Sequence, residues 1–192
     1  MRWIYGAQRP LKLSELAEAL SLDDSFSSTG QVKVDALREI ITNCEDLLEI
    51  NVTDDTVSFV HESIPELLSQ NEQWSLKYET PLSMFYIEHE SVQSKIANTL
   101  MAYLYGGCLD DPAFHNPASD PDQSTGEVFR AFLDARMKAY PFLDYCITFM
   151  IDHLQTVISE DEVFTWYFFD PPSLSPQRDA WWAAYRSLQV SE

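Results

Sequence analysis

Apolar residues recur along this chain with helical and alternating periods that mark out its elements. A short run over residues 3–7 reads as the end of a helix, and Arg9-Pro10 breaks it because proline disfavours helix at the residue before it. Leu16, Ala19 and Leu20 then fall at helical spacing, which predicts a helix over residues 14–20 with Ser14 as N-cap and Glu15 near its positive end. Residues 23–30 form a polar turn segment. Val34, Leu37, Ile40 and Ile41 repeat at three and four, the stripe of a second amphipathic helix within residues 32–44. Leu48-Glu49-Ile50-Asn51-Val52 alternates, Asp54-Asp55 suits a turn, and Val57-Ser58-Phe59-Val60 is rich in strand formers, so residues 48–60 are expected as a hairpin. A short helix over 63–69, with Pro65 tolerated in its first turn, completes a pattern expected to be a winged-helix-like module over residues 1–70.

Residues 71–192 are expected to form an α-helical linker or scaffold domain. Ser91 is the predicted cap of a helix whose Val92, Ile96, Leu100, Tyr103 and Leu104 share a face, stopped by Gly106-Gly107. A proline-rich loop is expected at about 108–126, holding Pro112, Pro117 and Pro121. Val128, Phe129, Phe132 and Leu133 mark the next helix, and Pro141 opens another along Phe142, Cys146, Phe149, Met150 and Leu154. Phe164, Trp166, Tyr167, Phe168 and Phe169 precede Asp170-Pro171-Pro172, and Trp181, Trp182 and Tyr185 share a last helix. This aromatic tail suits a packed core and a partner-docking patch equally, since Trp and Tyr dominate interface hot spots. The fold class expected is mainly α, a winged-helix module of helices plus a small β-hairpin followed by a helical domain.

Composition adds a core and a sign. A chain of 192 residues that is 45% hydrophobic and 13% aromatic has ample material to pack. Its 12 Lys and Arg against 31 Asp and Glu give a net charge of −19, and the acidic excess holds in both halves. Such a surface repels phosphate backbones and anionic lipid, so neither nucleic acid nor membrane is expected as a partner. The apolar stretch 142–158 contains Asp144, Asp152, His153 and Gln155, too many polar groups for a membrane span. No signal-peptide core opens the chain, and the odd, unpaired spacing of Cys44, Cys108 and Cys146 fits neither a disulfide framework nor a zinc site. A cytoplasmic location is expected.

Arg9-Pro10-Leu11-Lys12-Leu13-Ser14-Glu15-Leu16, continuing to Ala19-Leu20, resembles the opening of the winged-helix region that follows the NTPase in fungal NACHT proteins. That family is also labelled a GPI inositol-deacylase winged helix. Val57-Ser58-Phe59-Val60-His61-Glu62-Ser63, leading to Leu67-Leu68, resembles its next signature, and Tyr140-Pro141-Phe142-Leu143-Asp144-Tyr145 with His153-Leu154 resembles the element such proteins carry before ankyrin or other repeats. Cys146 and Phe149-Met150 depart from the usual small residue and tryptophan. The resemblance implies a non-catalytic regulatory and scaffolding segment of a nucleotide-switched, NLR-like signalling protein, with an NTPase domain and a repeat domain as its protein partners. ADP or ATP would then act only through the NTPase, since no phosphate-binding loop G-x-x-x-x-G-K-[ST] and no ankyrin period occur. The alternative is a free-standing interaction adaptor in fungal self/non-self recognition.

His61 is the candidate site residue. Val60-His61-Glu62 resembles the "MHD" motif whose histidine, in nucleotide-switched plant receptors, contacts the phosphate of bound ADP; the plainer role is a histidine capping the hairpin-to-helix turn. His61-Glu62 also begins like a zinc-protease motif, but Pro65 stands where the second histidine belongs, so no metal site is expected there. His89, His115 and His153 lie apart, and Glu88, Glu90, Asp110 and Asp111 lack a calcium-loop pattern. No lipase is expected either, because no G-x-S-x-G elbow occurs. Asn51-Val52-Thr53 matches a glycosylation sequon by chance, in an expected strand. Against DNA binding, the second helix offers Lys33 and Arg38 beside Asp35 and Glu39.

Overall fold

The computed structural model describes residues 1–22, 32–69, 85–109, 123–157 and 176–189. The expected turn at 23–30, most of the proline-rich loop, His115, and the run from Phe164 to Pro172 lie outside them. The described chain is mainly α-helical, with one three-stranded antiparallel sheet. It forms two compact units, Met1–Ile96 and Ala97–Glu192; the first thus runs past residue 70, where the sequence pattern changes.

In chain order the first unit holds α1 (Arg2–Gly6), β1 (Leu11–Lys12), α2 (Leu13–Leu22), α3 (Val34–Thr42), β2 (Leu48–Ile50), β3 (Thr56–Phe59), α4 (Ser63–Ser69) and the start of α5 (His89–Tyr103). Glu15 organises its beginning. Both guanidinium η nitrogens of Arg9 donate to its carboxylate at 2.8 Å, and the Lys12 N–H donates to it at 2.8 Å. Because α2 starts at Leu13, Glu15 is its third residue and reaches back to the N–H of the residue before the helix, half of a capping box. Ser14 is therefore inside the helix rather than its cap, and the capping carboxylate is buried, at 2% exposure.

The segment so fixed feeds a strand that the alternation did not reveal, since two residues are too short to show a period. Leu11 pairs with Val57 and Lys12 with Thr56, giving the order β1-β3-β2. Leu11 and Val57 are both buried, so the added strand closes the sheet over core. β2 pairs with β3 in the register Leu48 to Phe59 and Ile50 to Val57. Asn51 and Val52, expected in the strand, lie in the turn instead, and Val52 is 97% exposed. The Asn51 carboxamide oxygen accepts from the Thr53 N–H at 2.9 Å, an Asx turn that competes with strand extension. Asp55 takes a left-handed φ of 62°, which aspartate tolerates better than most residues, and Arg38 holds its carboxylate at 2.7 and 2.9 Å.

Helix packing follows most of the predicted stripes, but Val128, expected on the face of a later helix, is 70% exposed. Leu37 and Ile41 bury the inner face of α3, but Ile40 is 60% exposed. α1 meets α5 at Gly6, where a Cβ would come within 2.5 Å of Val92 Cγ1 and 2.8 Å of Ile96 Cδ1. Only glycine permits that approach, and buried Gln93 fastens it by donating to the Gly6 carbonyl at 3.0 Å. α5 starts at His89, so Ser91 falls in its first turn and is not the cap.

In the second unit, α5 runs into a π-helical turn, Leu104–Cys108, that Gly107 ends with a φ of 94°. α6 (Gln123–Ala139), α7 (Leu143–Val157) and α8 (Pro176–Gln189) follow. α6 already includes Gly126, so the expected loop ends earlier than its pattern suggested. Arg136 of α6 donates to the Cys108 carbonyl at 2.6 and 3.1 Å and to the Gly107 carbonyl at 3.3 Å, satisfying groups that the helix end leaves without intrahelical donors. Its guanidinium lies 4.8 Å from the centre of the Tyr140 ring. Tyr103 packs edge-on against Phe142, and Phe142 stacks on Tyr145. The Tyr145 hydroxyl bonds His153 Nε2 at 2.7 Å with both residues fully buried. Trp181 donates from Nε1 to the Ile147 carbonyl, tying α8 to α7, whereas Trp182 is half-exposed and stacks on Tyr185. The described part of the aromatic tail thus divides between core and surface.

Two substitutions test these anchors. Glu15→Ala removes the buried carboxylate that binds Arg9 and the Lys12 N–H, and should cost about 3 kcal/mol, seen as a lower urea midpoint; an unchanged midpoint contradicts the anchoring role. Tyr145→Phe takes a partner from buried His153 and should cost about 1–3 kcal/mol in thermal unfolding; an unchanged midpoint would show that the bond adds nothing to the core.

Candidate functional site

His61 lies where the hairpin hands over to α4. β3 ends at Phe59, the Val60 N–H donates to the Leu47 carbonyl at 3.2 Å, and Ile64 N–H closes the turn onto the His61 carbonyl at 3.1 Å. The following helix accommodates Pro65 at its third residue, where no intrahelical donor is required. The Ser63 N–H donates to His61 Nδ1 at 3.1 Å, and the Ser63 hydroxyl lies 2.8 Å from the same nitrogen. Nδ1 is thereby an acceptor, which puts the proton of the neutral ring on Nε2. The residue is exposed. His61 thus caps its turn with one nitrogen and keeps a single hydrogen-bond donor on the other.

Charge decides what that donor can do alone. No lysine or arginine occurs from Glu39 through Gln70. Arg38, next before this stretch, is engaged bidentately by Asp55. Glu62 and Glu66, on either side of the α4 start, are exposed. The sequence around His61 thus offers a phosphate one donor flanked by the exposed carboxylates of Glu62 and Glu66. The same distribution weakens α3 as a DNA-reading helix, because Asp35, Glu39 and Ile40 join Lys33 on its exposed surface.

The other expectations fall as follows. Among the described residues no group of three His, Cys, Asp or Glu side chains is placed to hold a metal ion. His89 contacts the Tyr5 ring edge-on, Glu88 and Glu90 are exposed, and Asp110 and Asp111 lie outside the described residues. His153 and Tyr145 of the later signature belong to the core of the second unit. The Arg9 and Glu15 partnership was missed although both residues were in view, because their spacing spans a proline break and a strand and corresponds to no helical period. No helix of the described residues is long and apolar enough to cross a membrane.

Residues 1–79 match the family model described as GPI inositol-deacylase, winged helix domain. The matched region takes in the Arg9–Glu15 anchor, the sheet and the His61 junction, and the winged-helix architecture seen there agrees with it. No curated protein matches the chain, and no solved structure does.

At the tip of the hairpin, the Asp54 carboxylate accepts from the Thr56 hydroxyl at 2.7 Å and from the Thr56 N–H at 3.2 Å, and these bonds hold its carboxyl below the ordinary value. A depressed carboxyl stabilises the fold above its unfolded pKa, and that contribution is lost as pH falls through the folded value. Thr56→Val should raise the Asp54 titration midpoint towards the usual carboxylate range, followed by carboxyl-carbon NMR. An unmoved midpoint would show that the hydroxyl does not set it.

Proposed function

We propose that this chain is a non-catalytic regulatory and scaffolding segment, which couples a NACHT-type NTPase domain to downstream repeats through protein contacts. The observation that carries this reading is the His61 junction: an exposed histidine with one donor to offer, in a stretch without lysine or arginine, at the hairpin-to-helix turn of a winged helix. Such a donor contributes to an ADP phosphate only when a second domain brings the nucleotide and its cations. The arrangement suits a lid, whose hold on the NTPase depends on which nucleotide is present.

In this reading ADP favours the packed state because the terminal phosphate of ADP accepts from His61 Nε2, and nucleotide exchange removes that contact. The acidic surface disfavours nucleic acid and anionic lipid as partners.

The test is release of a fluorescent ADP analogue from a NACHT-type NTPase segment mixed with this chain. The wild-type chain should slow release, and His61→Ala should restore it by about fivefold or more, the lower range of allosteric coupling. Equal release with both chains would assign His61 to turn capping alone.

A further inference from the structure

The outer side of α8 carries an aromatic surface whose members touch one another. Ala180, Trp181, Ala183 and Ala184 are buried, which leaves Asp179, Trp182, Arg186 and Gln189 exposed at steps of three and four along the helix. The Trp182 ring stacks on that of Tyr185 with centroids 5.7 Å apart, and the Arg186 guanidinium lies 5.9 Å from the Trp182 ring centre. Trp182, Tyr185 and Arg186 are therefore one continuous surface by direct contact, with Trp182 45% exposed. They also leave polar groups open. Among the described residues the Trp182 Nε1–H, the Tyr185 hydroxyl and the Arg186 guanidinium have no hydrogen-bond or ion-pair partner.

The group that Arg186 lacks is a carboxylate. Asp179, the one acidic residue of α8, is bound by Arg178 at 3.2 Å. On α6, Asp134 is bound by Arg130, the residue that joins the two helices by donating to the Ser187 carbonyl at 2.8 Å. A guanidinium presents a forked pair of donors that a carboxylate fits. A further cation is disfavoured here, because Arg186 already holds the position over Trp182 that it would take. The described residues of the second unit include five basic and five acidic side chains, so this part of the molecule carries none of the acidic excess of the whole chain.

We infer that the Trp182, Tyr185 and Arg186 surface of α8 docks an acidic protein segment, a glutamate or aspartate with an apolar side chain beside it. The carboxylate takes the forked donors of Arg186, and its apolar neighbour covers Trp182 and Tyr185, residue types that dominate interface hot spots. This site uses neither His61 nor nucleotide, so it stands or falls separately from the lid reading and is tested without an NTPase.

The probe is a short end-blocked peptide of leucine and glutamate, titrated into the isotope-labelled full chain, with the leucine and glutamine peptide as its counterpart. The Trp182 indole N–H and the Arg186 Nε–H signals should shift with the glutamate peptide and stay in place with the glutamine peptide. Arg186→Gln and Trp182→Ser alter exposed positions and keep the fold, checked by amide signals away from α8 that do not move. Each should weaken binding by about tenfold, the loss of one interface anchor. Arg186→Lys keeps the charge without the fork and should also weaken it. Equal binding of the two peptides, shifts centred away from α8, or affinity indifferent to Arg186→Gln and Trp182→Ser would overturn the inference. The same shifts appearing with protein concentration alone would overturn it in favour of a second copy, and tighter binding of a single-stranded oligothymidylate would overturn it in favour of nucleic acid.

Discussion

The winged-helix unit depends on one carboxylate. Glu15 receives two bonds from Arg9 and one from the Lys12 N–H, and so fixes the point at which an extended segment becomes α2. That point decides the pairing of Leu11 with Val57, which completes the sheet, and the Leu13 N–H continues the same edge by donating to the Asp55 carbonyl. β3 is thereby held between two partners, and its exit places His61 at the turn into α4. A carboxylate this buried repays its desolvation only when it is well bonded, and the backbone donor adds to the part-exposed Arg9 here.

The helical stripes and the β2–β3 hairpin were legible because each is long enough to show its period. Val92, Ile96, Leu100, Tyr103 and Leu104 read as one face and are all buried. The caps were less legible. Ser14 and Ser91 are good N-cap residues by type, yet each lies inside its helix, because Glu15 supplies the cap in one case and α5 begins earlier in the other. β1 was hidden by its length, and the exposed Ile40 by a stripe that records apolarity without saying what covers it. The Tyr140-Pro141-Phe142 signature was visible as a motif, but its physical content was not. Tyr145 bonds a histidine two turns along its own helix, a spacing outside the usual three and four, and Arg136 clamps the π-turn from another helix.

The candidate site was legible as a residue and not as an environment. His61 could be singled out from its neighbours, whereas the commitment of Nδ1 to Ser63 needed coordinates. That bond gives the histidine a structural task and, in the same act, sets its remaining proton on Nε2. The proposed role in nucleotide sensing uses that proton.

The most direct test of the regulatory reading is sedimentation of the purified chain with a NACHT-type NTPase segment, loaded either with ADP or with a non-hydrolysable ATP analogue. The account predicts a complex in the presence of ADP that loosens with the ATP analogue. No complex in either state would contradict it, and would move the chain to the class of free-standing adaptors.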